Sequence, residues 1–279
     1  MWIDSDSTIV VQALTKCWND SDTWPKAVRI CCRAAVDLVL TFSSTLTLAA
    51  ADPDALWHIA HDLCVPHQQQ NHDPAPCVEV DVPGGYAILK DRVGKTQFLL
   101  IATERISGIE SPEILDPAAP NYWDAAWRSR HFVEERAGRA LPRDAIGLAI
   151  NSVSGRTQDQ LHIHIDCVRP DVRALLSEHM DAVGETWARF PAPLVGHAYM
   201  AMRVEQPELG NANPFVLLAR RIPTARDDMA HETIVVIGAR FGDQDGFVVL
   251  AGHASASKED RASGEELLDH ACAVASGTE

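Results

Sequence analysis

The 279-residue chain has no excess of basic charge: 24 Lys and Arg stand against 39 Asp and Glu, a formal net charge of −15. A surface of that sign repels a phosphate backbone and excludes general nucleic-acid binding, although a few local cations and backbone N–H groups can still hold one anionic substrate. No CxxC pair or Cys/His finger spacing occurs among the cysteines at 17, 31, 32, 64, 77, 167 and 272, which argues against structural zinc. There is no carboxylate cluster typical of magnesium binding and no repeat at a fixed period. The sequence therefore implies no metal and no cofactor. What it has in quantity is apolar residues, 46% of the chain. That is enough for a substantial core in one large domain or two small ones.

Residues 1–26 are polar and mixed and read as a poorly structured extension. From Ala34 to Ala51 the chain runs AAVDLVLTFSSTLTLAAA, behind Lys26, Arg29 and Arg33. A basic flank, an apolar stretch and a small-residue ending make residues 27–51 a signal or membrane-anchor segment, with a packed helix as the alternative. Asp37 would be costly in hydrocarbon, and a signal normally begins nearer the N-terminus, as it would if translation started near Val28. The odd cysteine count leaves at least one thiol free or paired between chains. Cys64 and Cys77 flank a loop with Pro66, Pro74 and Pro76, so they read either as a disulfide or as two buried thiols.

The body, residues 52–279, reads as one domain. Leu56, Ile59, Ala60 and Leu63 share a helical face. GGYAILKD and TQFLLIAT, around the turn at 92–95, predict a hairpin. Residues 121–137 predict a helix with Asn121 as N-cap and Gly138 as stop. IGLAINS and QLHIHID predict two strands. Val172, Leu175, Leu176, Val183 and Trp187 fall at helical spacing behind Pro170. Further strands are expected at 197–204, 215–219, 233–239 and 247–251. Hairpins with intervening helices imply an α+β fold around an antiparallel sheet with flanking helices and extended C-terminal strands.

The chemistry concentrates in NSVSGRTQDQLHIHID, residues 151–166. On an extended strand side chains alternate, so Leu161, Ile163 and Ile165 take the core face while Gln160, His162, His164 and Asp166 line the other. Three readings of that row stay open: an imidazole nucleophile attacking phosphorus, a His-x-His chelate lacking a third ligand, or two surface histidines. Gly155, Arg156 and Thr157 form a turn that could present N–H groups, a guanidinium fork and a hydroxyl to a phosphate. Equally, Arg156 could be solvated and Asn151 could simply cap the turn.

In these residues the chain resembles the histidine-triad superfamily, whose motif alternates three histidines with apolar residues. Gln160-Leu161-His162-Ile163-His164-Ile165 matches with glutamine in the first histidine's place, as in one branch, the CDP-diacylglycerol pyrophosphatases. LKDRVGKTQFLLIAT, ISGIESPEIL, PNYWDAAWRSR, LAINSVSGRTQDQLHIHI and EELLDHACAV are similar to that branch, from about Leu56 to Val274. The resemblance implies a histidine-triad-like (HIT-like) fold and hydrolysis of CDP-diacylglycerol to CMP and phosphatidate through a nucleotidyl-histidine. It makes His162 the nucleophile, His164 a phosphate holder and Gln160 an orienting group. Asn151, Arg156 and Thr157 fall at the phosphate, Gln97 near the sugar, and Lys90 and Asp91 within reach of the nucleotide. A second register would place His162, His164 and Asp166 first, second and third. A nucleotidyltransferase, a soluble dinucleotide hydrolase and a non-catalytic nucleotide or lipid sensor are the alternative functions. The implied partners are CDP-diacylglycerol and membrane lipid, and the implied location is the periplasmic side of a bacterial inner membrane or the periplasm. Residues 192–279 carry no chemical motif and read as scaffold with a lipid-side surface.

Overall fold

The computed structural model describes residues 52–276 apart from 256 and 258. The expected extension and the signal or anchor segment lie outside these residues. Residues Asp52–Glu279 form one compact unit. Its first helix, α1 (Ala55–Trp57), passes through a π-helical stretch, His58–Cys64, into α2 (Val65–Asn71). Leu56 and Ala60 face inward as their spacing predicts, but Leu63 is 41% exposed and Cys64 is buried in its place. The wider i→i+5 winding rotates later side chains away from α spacing. A disulfide from Cys64 to Cys77 then holds Cys64 against the sheet.

Among the described residues nine strands make one sheet: β1 (Glu79–Asp81), β2 (Tyr86–Lys90), β3 (Phe98–Ala102), β4 (Ile146–Ile150), β5 (His162–Cys167), β6 (Ala188–Arg189), β7 (Met200–Val204), β8 (Glu232–Phe241) and β9 (Gln244–His253). Their order is β1-β2-β3-β5-β4-β8-β9-β7-β6, with every pairing antiparallel. The expected β2–β3 hairpin forms, with Tyr86 opposite Ala102 and Lys90 opposite Phe98.

Three expectations need correction. The helix expected over 121–137 is two, α3 (Tyr122–Arg128) and α4 (His131–Ala137). At the break, Ser129 Oγ donates to the Ala125 carbonyl four residues back, a bond that bends helices. Asn121 does cap the first, and Gly138 ends the second at φ 75°. The helix behind Pro170, α5, stops at Glu178 (Pro170–Glu178). Val183 packs with one core cluster and Trp187 against another, which no single helical face could serve. Residues 215–219, expected as a strand, lie in α6 (Pro214–Arg221). There Asn213 accepts from the Phe215 N–H and Pro214 sits in the first turn, start signals that outweigh a short apolar run. A short α7 (Pro223–Asp227) follows.

One sheet face carries the main core: Ile88, Leu100, Leu148, Ile163, Val236 and Val249 under Trp123, Trp127 and Phe215. Each such fully buried side chain contributes roughly 2–3 kcal/mol of transfer free energy. The other face has two separate clusters. Leu99, Ile101 and Ala87 pack under Leu56, Ala60 and Cys64. Ala149, Val235, Ile237, Val248 and Leu250 pack under Val172 and Leu176 of α5 and under Leu267 and Leu268 near the C-terminus. Between them, along β5 and at Gln97 just before β3, this face is given to polar side chains.

Candidate active site

The period of β5 carries through to the structure. Leu161, Ile163 and Ile165 are fully buried in the main core, and Gln160, His162, His164 and Asp166 line the opposite face. His164 lies between Leu99 of β3 and Ala149 of β4, which fixes it on that face. The row is itself buried, His162 at 7% and His164 at 5% exposure, so its polar atoms need partners within the protein.

His162 Nδ1 lies 2.7 Å from the carbonyl oxygen of Gln160, which can only accept. Nδ1 therefore carries the proton, and Nε2 keeps its lone pair. Burial, and then the neighbouring His164, push this imidazole down from 6.5 to about 4, so it is neutral near pH 7. The Gln160 side chain turns the other way. Its Nε2 donates at 2.7 Å to the carbonyls of Ala102 and Glu104, bracing the end of β3. Gln160 thus acts on His162 through its main chain.

His164 stands edge-on to His162, ring centres 5.0 Å apart. Gln97 Nε2 lies 3.0 Å from its Nδ1 and also donates to Asp91 Oδ2 at 2.8 Å. With Nδ1 accepting, the proton sits on Nε2, which lies 3.4 Å from Glu265 Oε2. Burial lowers this imidazole too, against the pull of Glu265 and Asp91. Asp91 orients Gln97 and accepts from the Val93 N–H, so it joins the network from the side.

Glu265 gathers the rest. Asn151 Nδ2 donates to its Oε2 at 3.2 Å, Gln97 Nε2 to its Oε1 at 3.3 Å, and His270 Nε2 approaches Oε1 at 3.4 Å. Its own N–H donates to Asn151 Oδ1. Burial raises the Glu265 carboxyl, but His164, Asn151, Gln97 and His270 outweigh it and hold the group below the usual carboxylate value. His270 Nδ1 lies 3.1 Å from Asp166 Oδ2, and Asp166 Oδ1 accepts from Thr96 Oγ1 at 2.6 Å.

The structure brings the side chains of Asn151, Gln97, His162, His164 and Asp91 together, with Gln160 joining them through its carbonyl alone. Lys90 does not. It shares a strand face with Tyr86 and Ile88, the main-core side, and its Nζ donates to the carbonyls of Asp91 and Gly94. Strand alternation puts it across the sheet from the histidines. Arg156 is no open fork: it holds Glu110 through both terminal nitrogens, at 2.5 and 2.8 Å, and also Asp159. Thr157 is exposed on the loop between β4 and β5.

The C-terminal segment is more than scaffold, since it brings Glu265 and His270. A Val168–Leu268 bridge lays it on the sheet, and a second disulfide, Cys167–Cys272, ties it to the histidine strand. Gly147 permits the close approach, for a Cβ there would stand 2.7 Å from Leu268 and 2.9 Å from Val168. No chemical motif marks these residues; the signal available was the family-like segment EELLDHACAV, with two Glu, an Asp-His pair and a Cys in ten residues. Among the described residues no group of three or more His, Cys, Asp or Glu is placed to hold a metal ion.

The site thus sets a buried imidazole with an uncommitted Nε2 beside amide and imidazole groups on one face of an antiparallel sheet in an α+β domain. The family model for CDP-diacylglycerol pyrophosphatase matches residues 51–276. A CDP-diacylglycerol pyrophosphatase from Yersinia pestis is 44% identical over 237 residues, covering 85% of this chain and 91% of the relative. The chain belongs to the CDP-diacylglycerol pyrophosphatase family and is a hydrolase of that kind. Among solved structures it is similar to a DUF4931 family protein from Bacillus cereus, at 12% identity and a TM-score of 0.40, over 63% of this chain and 84% of the other. That likeness is too slight to bear on fold or function.

Proposed function

We propose that the chain hydrolyses CDP-diacylglycerol to CMP and phosphatidate through a nucleotidyl-histidine at His162. The observation that carries this reading is the hydrogen bond from Nδ1 to the Gln160 carbonyl at 2.7 Å. It leaves Nε2 unprotonated on a rigid strand, while burial keeps the ring neutral. Nε2 attacks the cytidine-side phosphorus, the bond to the bridging oxygen breaks, and phosphatidate departs with the electron pair. A phosphomonoester has a second pKa of about 6, so it leaves near neutrality without a proton donor. That suits glutamine in the position where the superfamily carries a histidine. Donors on Asn151, Gln97 and His164 steady the phosphoryl oxygens. Water then displaces His162 from phosphorus and releases CMP.

Kinship with the histidine-triad fold is part of this proposal, supported by the alternating row and the carbonyl-backed imidazole. A location on the periplasmic side of a bacterial inner membrane, or in the periplasm, is supported by a lipid substrate and by two disulfides, which persist in oxidising compartments. Among the described residues no helix is long and apolar enough to cross a membrane.

Mass spectrometry after brief, acid-free quenching with CDP-diacylglycerol tests the reading. The expected result is a CMP adduct on His162, with CMP and phosphatidate released by the wild type and not by His162→Ala. Unchanged turnover by His162→Ala would overturn the assignment, and binding without turnover by either protein would favour a sensor.

A further inference from the structure

Hydrolysis of the intermediate needs a base that the row on β5 does not supply. Attack by water at phosphorus returns the P–N electron pair to His162 Nε2, and one water proton must go elsewhere. His162 has Nδ1 committed to a carbonyl, and His164 carries its proton on the nitrogen facing Glu265. Glu265 has Asn151 and Gln97 donating to its two oxygens and the protonated His164 Nε2 3.4 Å from Oε2, which makes it a poor base.

We propose that His270, seated by Asp166, is the general base for the hydrolytic step, with Glu265 as a positioning residue between it and His164. The proposal rests on the nucleotidyl-histidine reading. Asp166 is wholly buried, and the Thr96 hydroxyl fixes one of its oxygens. Its other oxygen takes the His270 Nδ1 proton, which leaves Nε2 as the basic nitrogen. A buried carboxylate orienting an imidazole in this way is the arrangement that makes histidine an effective base. The Asp166 hydrogen bond raises the His270 imidazole, with burial opposing and Glu265 and Asp91 adding to the rise.

Access agrees with this role. The His270 side chain is 35% exposed, against 26% for Glu265 and 6% for His164, so it is the most open of the three to water. In-line attack places the base across phosphorus from the nucleophile rather than beside it. His270 stands two side chains along from His162, with His164 and Glu265 between. The balance then closes: the water oxygen bonds to phosphorus, the P–N bond breaks toward His162, and the water proton passes to His270 Nε2 and on to solvent.

Rapid-quench kinetics with His270→Gln separates the two steps, glutamine keeping a hydrogen-bond partner for Asp166 without a base. The expected result is a phosphatidate burst matching the number of sites, which also counts folded enzyme. CMP release should slow by roughly 10²-fold or more, the adduct should accumulate on His162, and added imidazole should restore part of the rate. An adduct that forms and decays at the wild-type rate would overturn the role of His270 and leave the His162 reading intact. Absence of any adduct in both proteins would overturn the two together.

Discussion

Removing the Cys167–Cys272 disulfide should cost both stability and catalysis, and the two losses should be separable. The bond spans 105 residues, whereas Cys64–Cys77 spans 13. In the chain-entropy account a loop of that longer size is worth about 4.7 kcal/mol and one of the shorter size about 3. Engineered and removed disulfides commonly fall short of these values, so we expect Cys167→Ala/Cys272→Ala to lose about 3–5 kcal/mol in urea unfolding. Cys64→Ala/Cys77→Ala should lose about 2–3 kcal/mol. The catalytic effect should differ in kind. Cys272 lies seven residues from Glu265 and two from His270, on a segment otherwise held by Asp269 N–H to the Cys167 carbonyl at 2.7 Å and by the Val168–Leu268 bridge. Loosening it should lower kcat by roughly 10-fold or more under conditions where the protein is still fully folded, while KM changes little. The Cys64–Cys77 pair joins the N-terminal helix to the segment before β1, apart from the histidine row, and its loss should leave kcat within about two-fold. The assay is steady-state turnover in detergent-dispersed CDP-diacylglycerol beside urea titrations of both variants. A wild-type kcat in Cys167→Ala/Cys272→Ala would refute the view that this covalent tie holds the C-terminal residues in the site.

Other perturbations follow from the same geometry. Arg156→Ala should act on stability, costing about 2 kcal/mol by leaving half-buried Glu110 without its fork, with KM unchanged; a ten-fold rise in KM would restore the phosphate role its turn implies. Asn151→Ala and Gln97→Ala should each lower kcat by roughly 10²-fold, because each removes a donor beside His164; an effect on KM alone would place them at substrate binding only. Acid should weaken the fold through His162. Its imidazole titrates near 6.5 when unfolded and about 4 when folded, so across that window the unfolded chain binds more protons and stability rises with pH. Going from neutral pH to below about 4 therefore forfeits roughly 3 kcal/mol at this residue, and His162→Asn should flatten that part of a urea-midpoint against pH profile. Lys90→Met should leave kcat and KM within about two-fold, since its ammonium bonds loop carbonyls on the far side of the sheet; a large loss of activity would contradict that placement.

Much of the site was legible because strands repeat every two residues. The run from Gln160 to Asp166 alternates without a fault, so the faces of His162 and His164 followed from the chain alone, as did the pairing of the two strands around the turn at 92–95. Asn151 and Gln97 were within reach of the same reasoning because they begin or end those strands. Where the chain departs from a single period the reading failed. The π-helical stretch turned Leu63 outward, Ser129 broke one helix, and Val183 and Trp187 serve opposite faces of the sheet despite their helical spacing. Phe215 to Ala219 was too short to declare its period, and the cap at Asn213 decided it.

The sequence by itself determined the strand that carries the histidines, the sign of its two faces and, through its motifs, the family. Only the tertiary structure decided what the imidazoles touch. The proton on His162 is set by a carbonyl two residues back, a choice made by backbone geometry rather than residue type. Glu265 and His270 come from about a hundred residues downstream. Neither sits in a motif that names a chemical role, and a disulfide, a β-bridge and the missing side chain at Gly147 together bring them onto the sheet. Arg156 shows the converse: its turn invites an anion, but Glu110 is already there. Local periodicity fixes which way a side chain points, whereas the partner it meets depends on contacts distant in the chain, which a linear pattern does not encode.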